Sequence, residues 1–264
     1  MFTPRAGYNN ICYTRRDHAE RLDAGTWGKN GGRKPMNGRE LKEARLHRGW
    51  TQQQAAGKLG VTQAYLSMVE HGHRVLPYSL ARRAVEVLQA PATALPLRVA
   101  TLGASLGSEK LRAELAGLGY PGFAHLRRRG RHNPAEVLLD ALNESDLDSR
   151  VVEGLPWLVL RYSDMDWDWL VQNAKVADRQ NRLGFVATLA LQMAAKSTEP
   201  QRSRKLAEYV GVLDRSRLVR EDTLCHDSLT EAERKWLRAN RPAEAKHWNL
   251  LTDMKAESLP HASF

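Results

Sequence analysis

Two glutamines eleven positions apart, Gln52 and Gln63, are the residues of this chain best suited to recognising another molecule. A glutamine amide carries a donor and an acceptor side by side, so it can pair with both N6 and N7 of adenine in a DNA major groove. Gln63 follows Thr62, a residue typical of a helix N-cap, and therefore falls in the first turn of a helix. Because recognition helices approach base edges with their N-terminal residues, the position of Gln63 predicts DNA binding.

The elements that must position these amides are two short helices joined by a tight turn. Ala56 is small enough for two helices to cross closely, Gly60 suits the turn, and Leu66 returns to the core. At 100° per residue, the second helix turns Leu66 and Val69 inward. The side chains that then face outward together, and are predicted to read bases, are Gln63, Ala64, Ser67 and Met68. The alternative is a generic helical hairpin with a solvated face.

From residue 37 to residue 91 the chain resembles the Cro and phage-repressor (Xre-type) helix-turn-helix family. The resemblance predicts four helices, over residues 38–48, 51–59, 62–71 and 78–89. It implies that Gln52 hydrogen-bonds the phosphate backbone and braces Gln63. The further positions that it assigns to the DNA backbone are Thr62, Arg74 and Tyr78.

Arg45 and Glu70 match a buried ion pair that ties the first helix to the third in many members of this family. The alternative is an exposed charge pair, which would contribute very little. Two positions depart from the family pattern. Gly57 lies inside the second helix, where glycine costs about 0.8 to 1 kcal/mol relative to alanine, and Met68 places a thioether where a polar side chain is common. Trp50 replaces a smaller apolar residue and is predicted to lie in the core.

The charge of the chain is concentrated in its first third. The formal net charge is +10 and the pI is about 9.8, which suits a polyanionic partner. Lysine and arginine outnumber the acids by 7 to 3 in residues 1–37 and by 8 to 4 in residues 38–91, but only by 25 to 23 in the remaining 173 residues. The larger C-terminal part therefore needs an explanation other than DNA wrapping.

Targeting and redox features point to a cytoplasmic protein. No apolar run reaches the length of a membrane span, and the N-terminus lacks an apolar signal core. Cys12 and Cys225 are too far apart in sequence to suggest a disulfide framework or a Cys-x-x-Cys zinc site. Residues 1–36 are predicted to be a basic flexible tail. They are either an arm that contacts phosphate or the minor groove, or a segment upstream of a translation start at Met36.

After a proline-marked linker at residues 92–97, residues 98–264 are predicted to form an α-helical domain. The expected fold class is all-α, with the helix-turn-helix bundle followed by a larger α-helical bundle or irregular α-solenoid. Ser108 and Asn133 are candidate N-caps, and Thr230 with Glu233 forms a capping box. Helices are predicted over residues 108–118, 133–143, 148–153, 156–162, 166–178, 182–196, 202–215, 230–239 and 242–254, the last as an amphipathic docking helix.

Four features of this half could carry chemistry. One loop contains four arginines that could clamp phosphate or an acidic partner by bidentate contacts: Arg127, Arg128, Arg129 and Arg131. The alternative is a solvated basic loop. Asp164, Asp166 and Asp168 could share a cation, although acids at a helix start also offset the helix dipole. Cys225, His226 and Asp227 could supply a nucleophile with a base only if the fold placed them usefully, because adjacent residues do not face each other. Five tryptophans at helical spacing favour a core, with one or two as interface anchors: Trp157, Trp167, Trp169, Trp236 and Trp248.

The favoured hypothesis is a sequence-specific DNA-binding transcriptional regulator that acts as a dimer on a palindromic operator. The resemblance implies a repressor, or the antitoxin of a toxin-antitoxin pair with a toxin as protein partner. A protein-interaction module with accessory DNA binding is one alternative. An enzyme is the other, but the C-terminal half lacks the Walker, His-Glu-x-x-His and Gly-x-Ser-x-Gly motifs. We therefore expect no enzyme activity, cofactor, metal site or membrane partner.

Overall fold

A computed structural model of the chain describes residues 36–97, 106–126, 132–195 and 200–260. These ranges contain twelve α-helices and two strands of two residues each. The predicted all-α fold is confirmed, with a helix-turn-helix region at the N-terminus and further helices after it. The tail at residues 1–35 lies outside the described residues. So do the four arginines of the predicted anion-binding loop, Arg127, Arg128, Arg129 and Arg131.

The N-terminal helices begin and end within one residue of the predicted positions. Their caps explain this agreement: Thr51 and Gln54 form a capping box, and the Thr62 side chain accepts a hydrogen bond from the backbone N–H of Tyr65 at 3.2 Å. The four helices are α1 (Gly38–His47), α2 (Gln52–Leu59), α3 (Gln63–Glu70) and α4 (Tyr78–Leu88).

The apolar faces of these helices share one core. Two glycines make its packing possible, one by allowing a close helix contact and one by allowing a tight turn. A Cβ on Gly38 would lie 2.0 Å from the carbonyl oxygen of Val69, so α1 approaches α3 too closely for any side chain there. Gly60 ends α2 with φ of 67°, the left-handed conformation that glycine adopts at little cost. Ala94 and Leu95, which follow α4, are also buried in this core. Trp50 packs against it while partly exposed.

The C-terminal helices surround α9, which is buried along most of its length. Helix α9 packs most extensively against α10 and α7. The helices are α5 (Gly107–Gly117), α6 (Pro134–Asn143), α7 (Ser149–Arg161), α8 (Trp167–Val176), α9 (Gln180–Ala194), α10 (Pro200–Asp214), α11 (Glu231–Asn240) and α12 (Ala243–His247). Strand β1 (Asp222–Thr223) pairs in parallel with β2 (Leu250–Leu251). Within the described ranges, no helix is both long and apolar enough to cross a membrane.

Two predictions about helix starts are corrected. Ser108 does not cap α5, because Leu106 occupies the cap position and the Ser108 hydroxyl accepts a hydrogen bond from the backbone N–H of Asp148 at 3.2 Å. The helices predicted over residues 148–153 and 156–162 are a single helix, α7, with Pro156 inside it. Proline removes only one backbone donor, and the burial of the residues on both sides of it holds the helix together.

The docking helix predicted over residues 242–254 is wrong. Helix α12 ends at His247, and the following residues Trp248, Leu250 and Leu251 are buried. The Trp248 ring lies against Gly184 of α9, where a Cβ would come within 2.3 Å of it. This segment is therefore part of the protein's own core and offers no free amphipathic helix to a partner.

The helical spacing predicted that most of the five tryptophans lie in the core, and the structure confirms this. Three of the five are buried in the C-terminal core: Trp157, Trp167 and Trp248. Trp169 is partly buried against the same core. Trp236, on α11, is 55% exposed and is the large aromatic that this half of the described chain presents to solvent.

Candidate nucleic-acid interface

The outer face of α3 carries the side chains predicted to read bases. Leu66 and Val69 are fully buried on the inner face of the helix. On the other face Gln63, Ala64 and Met68 are exposed, and Ser67 is half-buried. The exposed residues lie in the first two turns of a helix whose N-terminus is open to solvent at Thr62. This face combines two polar side chains, Gln63 and Ser67, with the small Ala64 and the thioether of Met68, a surface that a major groove can accept.

Gln63 and Gln52 are linked by their amides. The Nε2 atom of Gln63 donates a hydrogen bond to Oε1 of Gln52 at 3.2 Å. The Nε2 atom of Gln52 in turn donates to Oε2 of Glu70 at 2.9 Å. Gln63 is thus exposed, and the hydrogen bond to Gln52 restricts its orientation. A side chain that recognises a base needs both properties.

Glu70 and Arg45 form a buried bidentate ion pair. Nε of Arg45 donates to Oε1 of Glu70 at 2.6 Å, and Nη2 donates to Oε2 at 2.9 Å. The third nitrogen, Nη1, donates to the carbonyl oxygen of Trp50 at 2.7 Å. The side chains of Glu70 and Arg45 are 0% and 7% exposed. Burial opposes ionisation of Glu70, but hydrogen bonds from Arg45 and Gln52 outweigh it and hold the pKa of Glu70 below its ordinary value.

Residues 38–97 match a family model described as a helix-turn-helix domain. This segment is a Cro/Xre-type helix-turn-helix domain. No curated protein and no solved structure matches the chain. The matched segment covers less than a quarter of the sequence. The helix-turn-helix domain points to a DNA-binding regulator.

The residues predicted to contact the DNA backbone lie at the two ends of α3 and at the starts of α2 and α4. Thr62 is exposed at the start of α3, and Arg74 is exposed in the loop that follows it. Tyr78 is the first residue of α4 and is 39% exposed. Gln52 opens α2 and is half-buried. Their contacts with phosphate remain predictions.

Two contacts of the helix-turn-helix region were missed in the sequence, one on the outer face of α3 and one between α1 and α4. Nδ1 of His71 lies 2.8 Å from the carbonyl oxygen of Ser67 and 3.4 Å from its hydroxyl, so the His71 ring lies against Ser67 at the C-terminal end of α3. Arg48 ties α1 to the end of α4, donating from Nε to the carbonyl oxygen of Leu88 at 2.9 Å and from Nη2 to Oε1 of Gln89 at 2.6 Å. The four-residue spacing of Ser67 and His71 could have revealed the first contact.

Among the chemical candidates of the C-terminal half that lie in the described ranges, Asp164, Asp166 and Cys225 make structural hydrogen bonds. Oδ2 of Asp164 accepts a hydrogen bond from the Thr93 hydroxyl at 3.2 Å, and Asp166 caps α8. In the described ranges, these aspartates form no metal-binding group. The Cys225 thiol is buried, which raises its pKa to about 11, and it donates to the carbonyl oxygen of Ala141 at 3.3 Å. Such a thiol is a poor nucleophile.

Proposed function

We propose that this protein is a sequence-specific transcriptional regulator whose helix α3 enters the DNA major groove. The observation that carries the proposal is the exposed amide of Gln63, held at the start of α3 by Gln52. In this role four side chains read bases: Gln63, Ala64, Ser67 and Met68. Four side chains fix the position of the domain on the phosphate backbone: Gln52, Thr62, Arg74 and Tyr78.

A dimer on a palindromic operator is the assembly that fits this role best. One α3 helix of eight residues can contact only a few base pairs, and two such helices about one DNA turn apart are needed for a typical operator. The C-terminal helices carry little net charge and supply the larger apolar core, so we assign dimerisation or partner binding to them. Repression, and an antitoxin role in particular, follow from the family resemblance. A toxin-like reading frame beside this gene would favour the antitoxin role.

Replacing Gln63 by alanine tests the base-reading assignment. We expect Gln63→Ala to remove discrimination at one base pair. Binding to the preferred operator should weaken by about 1 to 3 kcal/mol, and binding to random DNA should change little. Gln52→Ala should instead weaken both more evenly, because phosphate contacts position the protein without specifying sequence. The measurement is fluorescence anisotropy of the full chain on the selected duplex and on a scrambled duplex, at one fixed salt concentration.

Gln172, exposed on α8, provides the matched control. Gln172→Ala removes the same amide far along the chain from the helix-turn-helix domain and should change neither affinity. Equal losses from Gln63→Ala and Gln52→Ala on both duplexes would reject the assigned roles.

The stoichiometry on DNA tests the dimer. We expect two full chains per palindromic duplex, and a fragment of residues 36–97 that binds more weakly but keeps the same base preference. This fragment includes Ala94 and Leu95, which belong to the core of the helix-turn-helix domain. Sedimentation velocity with labelled duplex measures the number of chains bound per duplex and the affinity of the fragment, and its repetition on the scrambled duplex measures the base preference. One chain per palindrome, together with turnover of a nucleotide or nucleic acid by the full chain, would favour the enzyme alternative.

A further inference from the structure

The hydrogen-bond chain behind the reading face ends at a group that can only accept. Glu70 is fully buried and ionised beside Arg45, and an ionised carboxylate has no hydrogen to donate. The amide of Gln52 must therefore turn its NH2 group toward Glu70, where Nε2 lies 2.9 Å from Oε2. Its carbonyl Oε1 then faces Gln63.

This orientation decides which groups Gln63 presents to DNA. Because Oε1 of Gln52 can only accept, Gln63 must give it one N–H from Nε2, at 3.2 Å. Gln63 is left with one N–H and a carbonyl oxygen. One donor beside one acceptor is the pattern complementary to N7 and N6 of adenine.

The opposite orientation of both amides would present a different pattern. If Gln52 donated to Oε1 of Gln63, both N–H groups of Gln63 would be available to DNA. Two donors suit N7 and O6 of guanine, which are both acceptors. The two orientations have nearly the same shape, because an amide oxygen and an amide NH2 group are similar in size. In the free protein, Glu70 at the far end of the hydrogen-bond chain selects between them before DNA binds.

We infer that the buried carboxylate of Glu70 is a positioning residue that sets the base preference of Gln63 through Gln52. The inference rests on the proposed function, since it requires that Gln63 reads a base. The ion pair with Arg45 does not itself need the contact from Gln52, because Nε and Nη2 of Arg45 already engage both carboxylate oxygens. Glu70 therefore has two separable roles, one in joining α1 to α3 and one in orienting two amides.

Three variants of the full chain separate these roles. Glu70→Gln keeps the shape of the side chain but adds a donor, so the orientation of Gln52 is no longer imposed. Arg45→Met combined with Glu70→Met removes the carboxylate together with its buried cation, an exchange that proteins often tolerate well. Arg45→Lys is the matched control, because it disturbs the ion pair but leaves the carboxylate to accept from Gln52.

The probe is the duplex that the wild-type chain selects from a random-sequence pool, together with the same duplex carrying G·C for A·T at the pair read by Gln63. That pair is identified as the one at which Gln63→Ala loses discrimination. Binding is measured by anisotropy below the melting temperature of each variant. We expect the wild type and Arg45→Lys to prefer A·T by about tenfold, and both carboxylate-free variants to prefer it by less than about threefold.

Full discrimination in either folded carboxylate-free variant would overturn the inference. So would an equal loss in Arg45→Lys, which would reduce Glu70 to a structural role. If Gln63→Ala loses discrimination at no base pair, the base-reading assignment in the proposed function fails, and the inference fails with it. These failures are distinguishable, because the first two leave the effect of Gln63→Ala intact.

Discussion

We expect Glu70→Ala to lower the free energy of unfolding of the helix-turn-helix domain by about 3 to 5 kcal/mol. The variant leaves the guanidinium of Arg45 buried without its carboxylate, and an uncompensated buried charge is strongly destabilising. It also removes the acceptor that Gln52 uses at 2.9 Å. The measurement is urea unfolding of residues 36–97, followed by circular dichroism.

Glu43, exposed on α1, provides the control for this prediction. Glu43→Ala removes the same charge from the same domain and should change the free energy of unfolding by less than about 0.5 kcal/mol. A change of that size in Glu70→Ala would instead mean that the pair with Arg45 contributes no more than an exposed ion pair.

The same pair gives the domain a pH dependence of known sign. Because the pKa of Glu70 is lower in the folded state than its ordinary value, ionised Glu70 contributes stability above the ordinary carboxyl pKa. That contribution is lost as the pH falls through the lowered value. The difference in stability between wild type and Glu70→Ala should therefore shrink toward acid pH. A difference independent of pH would contradict the ionised pair.

The helix-turn-helix domain was predictable because its signals are local. Thr51 and Thr62 cap helices, Gly60 takes a left-handed turn, and Ala56 permits the close crossing of α2 and α3. The pairing of Gln52 with Gln63 followed from family resemblance. The contact from Gln52 to Glu70 did not, because it joins side chains 18 positions apart whose meeting depends on the packing of α1, α2 and α3.

The C-terminal half was less predictable because tertiary packing overrides its local signals. Pro156 is a helix-breaking signal, yet α7 continues through it in a buried setting. Residues 242–254 alternate apolar and polar side chains at a helical period, but Trp248 is drawn against Gly184 on another helix and ends α12 early. No sequence pattern around Trp248 or Gly184 indicates that these two residues are in contact.

Arg182, predicted only as the start of a helix, is a buried cross-link of this half. Its guanidinium is fully buried and holds Asp222 through two hydrogen bonds of 2.9 Å, from Nε and Nη2. Nη1 donates to the carbonyl oxygens of Leu142 at 3.0 Å and Glu144 at 2.8 Å. Burial opposes ionisation of Asp222, but the hydrogen bonds from Arg182 outweigh it and lower the pKa of Asp222. One side chain thus joins α9, the end of α6 and β1.

Replacing Arg182 by methionine should therefore lower the free energy of unfolding of the C-terminal half much more than the same replacement of an exposed arginine. We expect Arg182→Met to cost about 3 to 5 kcal/mol, because methionine fills part of the volume but donates no hydrogen bonds. Asp222 loses both of its hydrogen bonds from Arg182 and keeps the backbone N–H of Thr223 at 2.8 Å and Arg179 at 3.6 Å, and the carbonyl oxygens of Leu142 and Glu144 lose their guanidinium donor. Arg204→Met on α10, where the side chain is 83% exposed, is the control and should cost less than about 0.5 kcal/mol. Tryptophan fluorescence during urea unfolding of the full chain reports the C-terminal core, which buries Trp157, Trp167 and Trp248. A loss below about 1 kcal/mol would mean that water replaces the guanidinium at little cost, and that Arg182 does not hold these elements together.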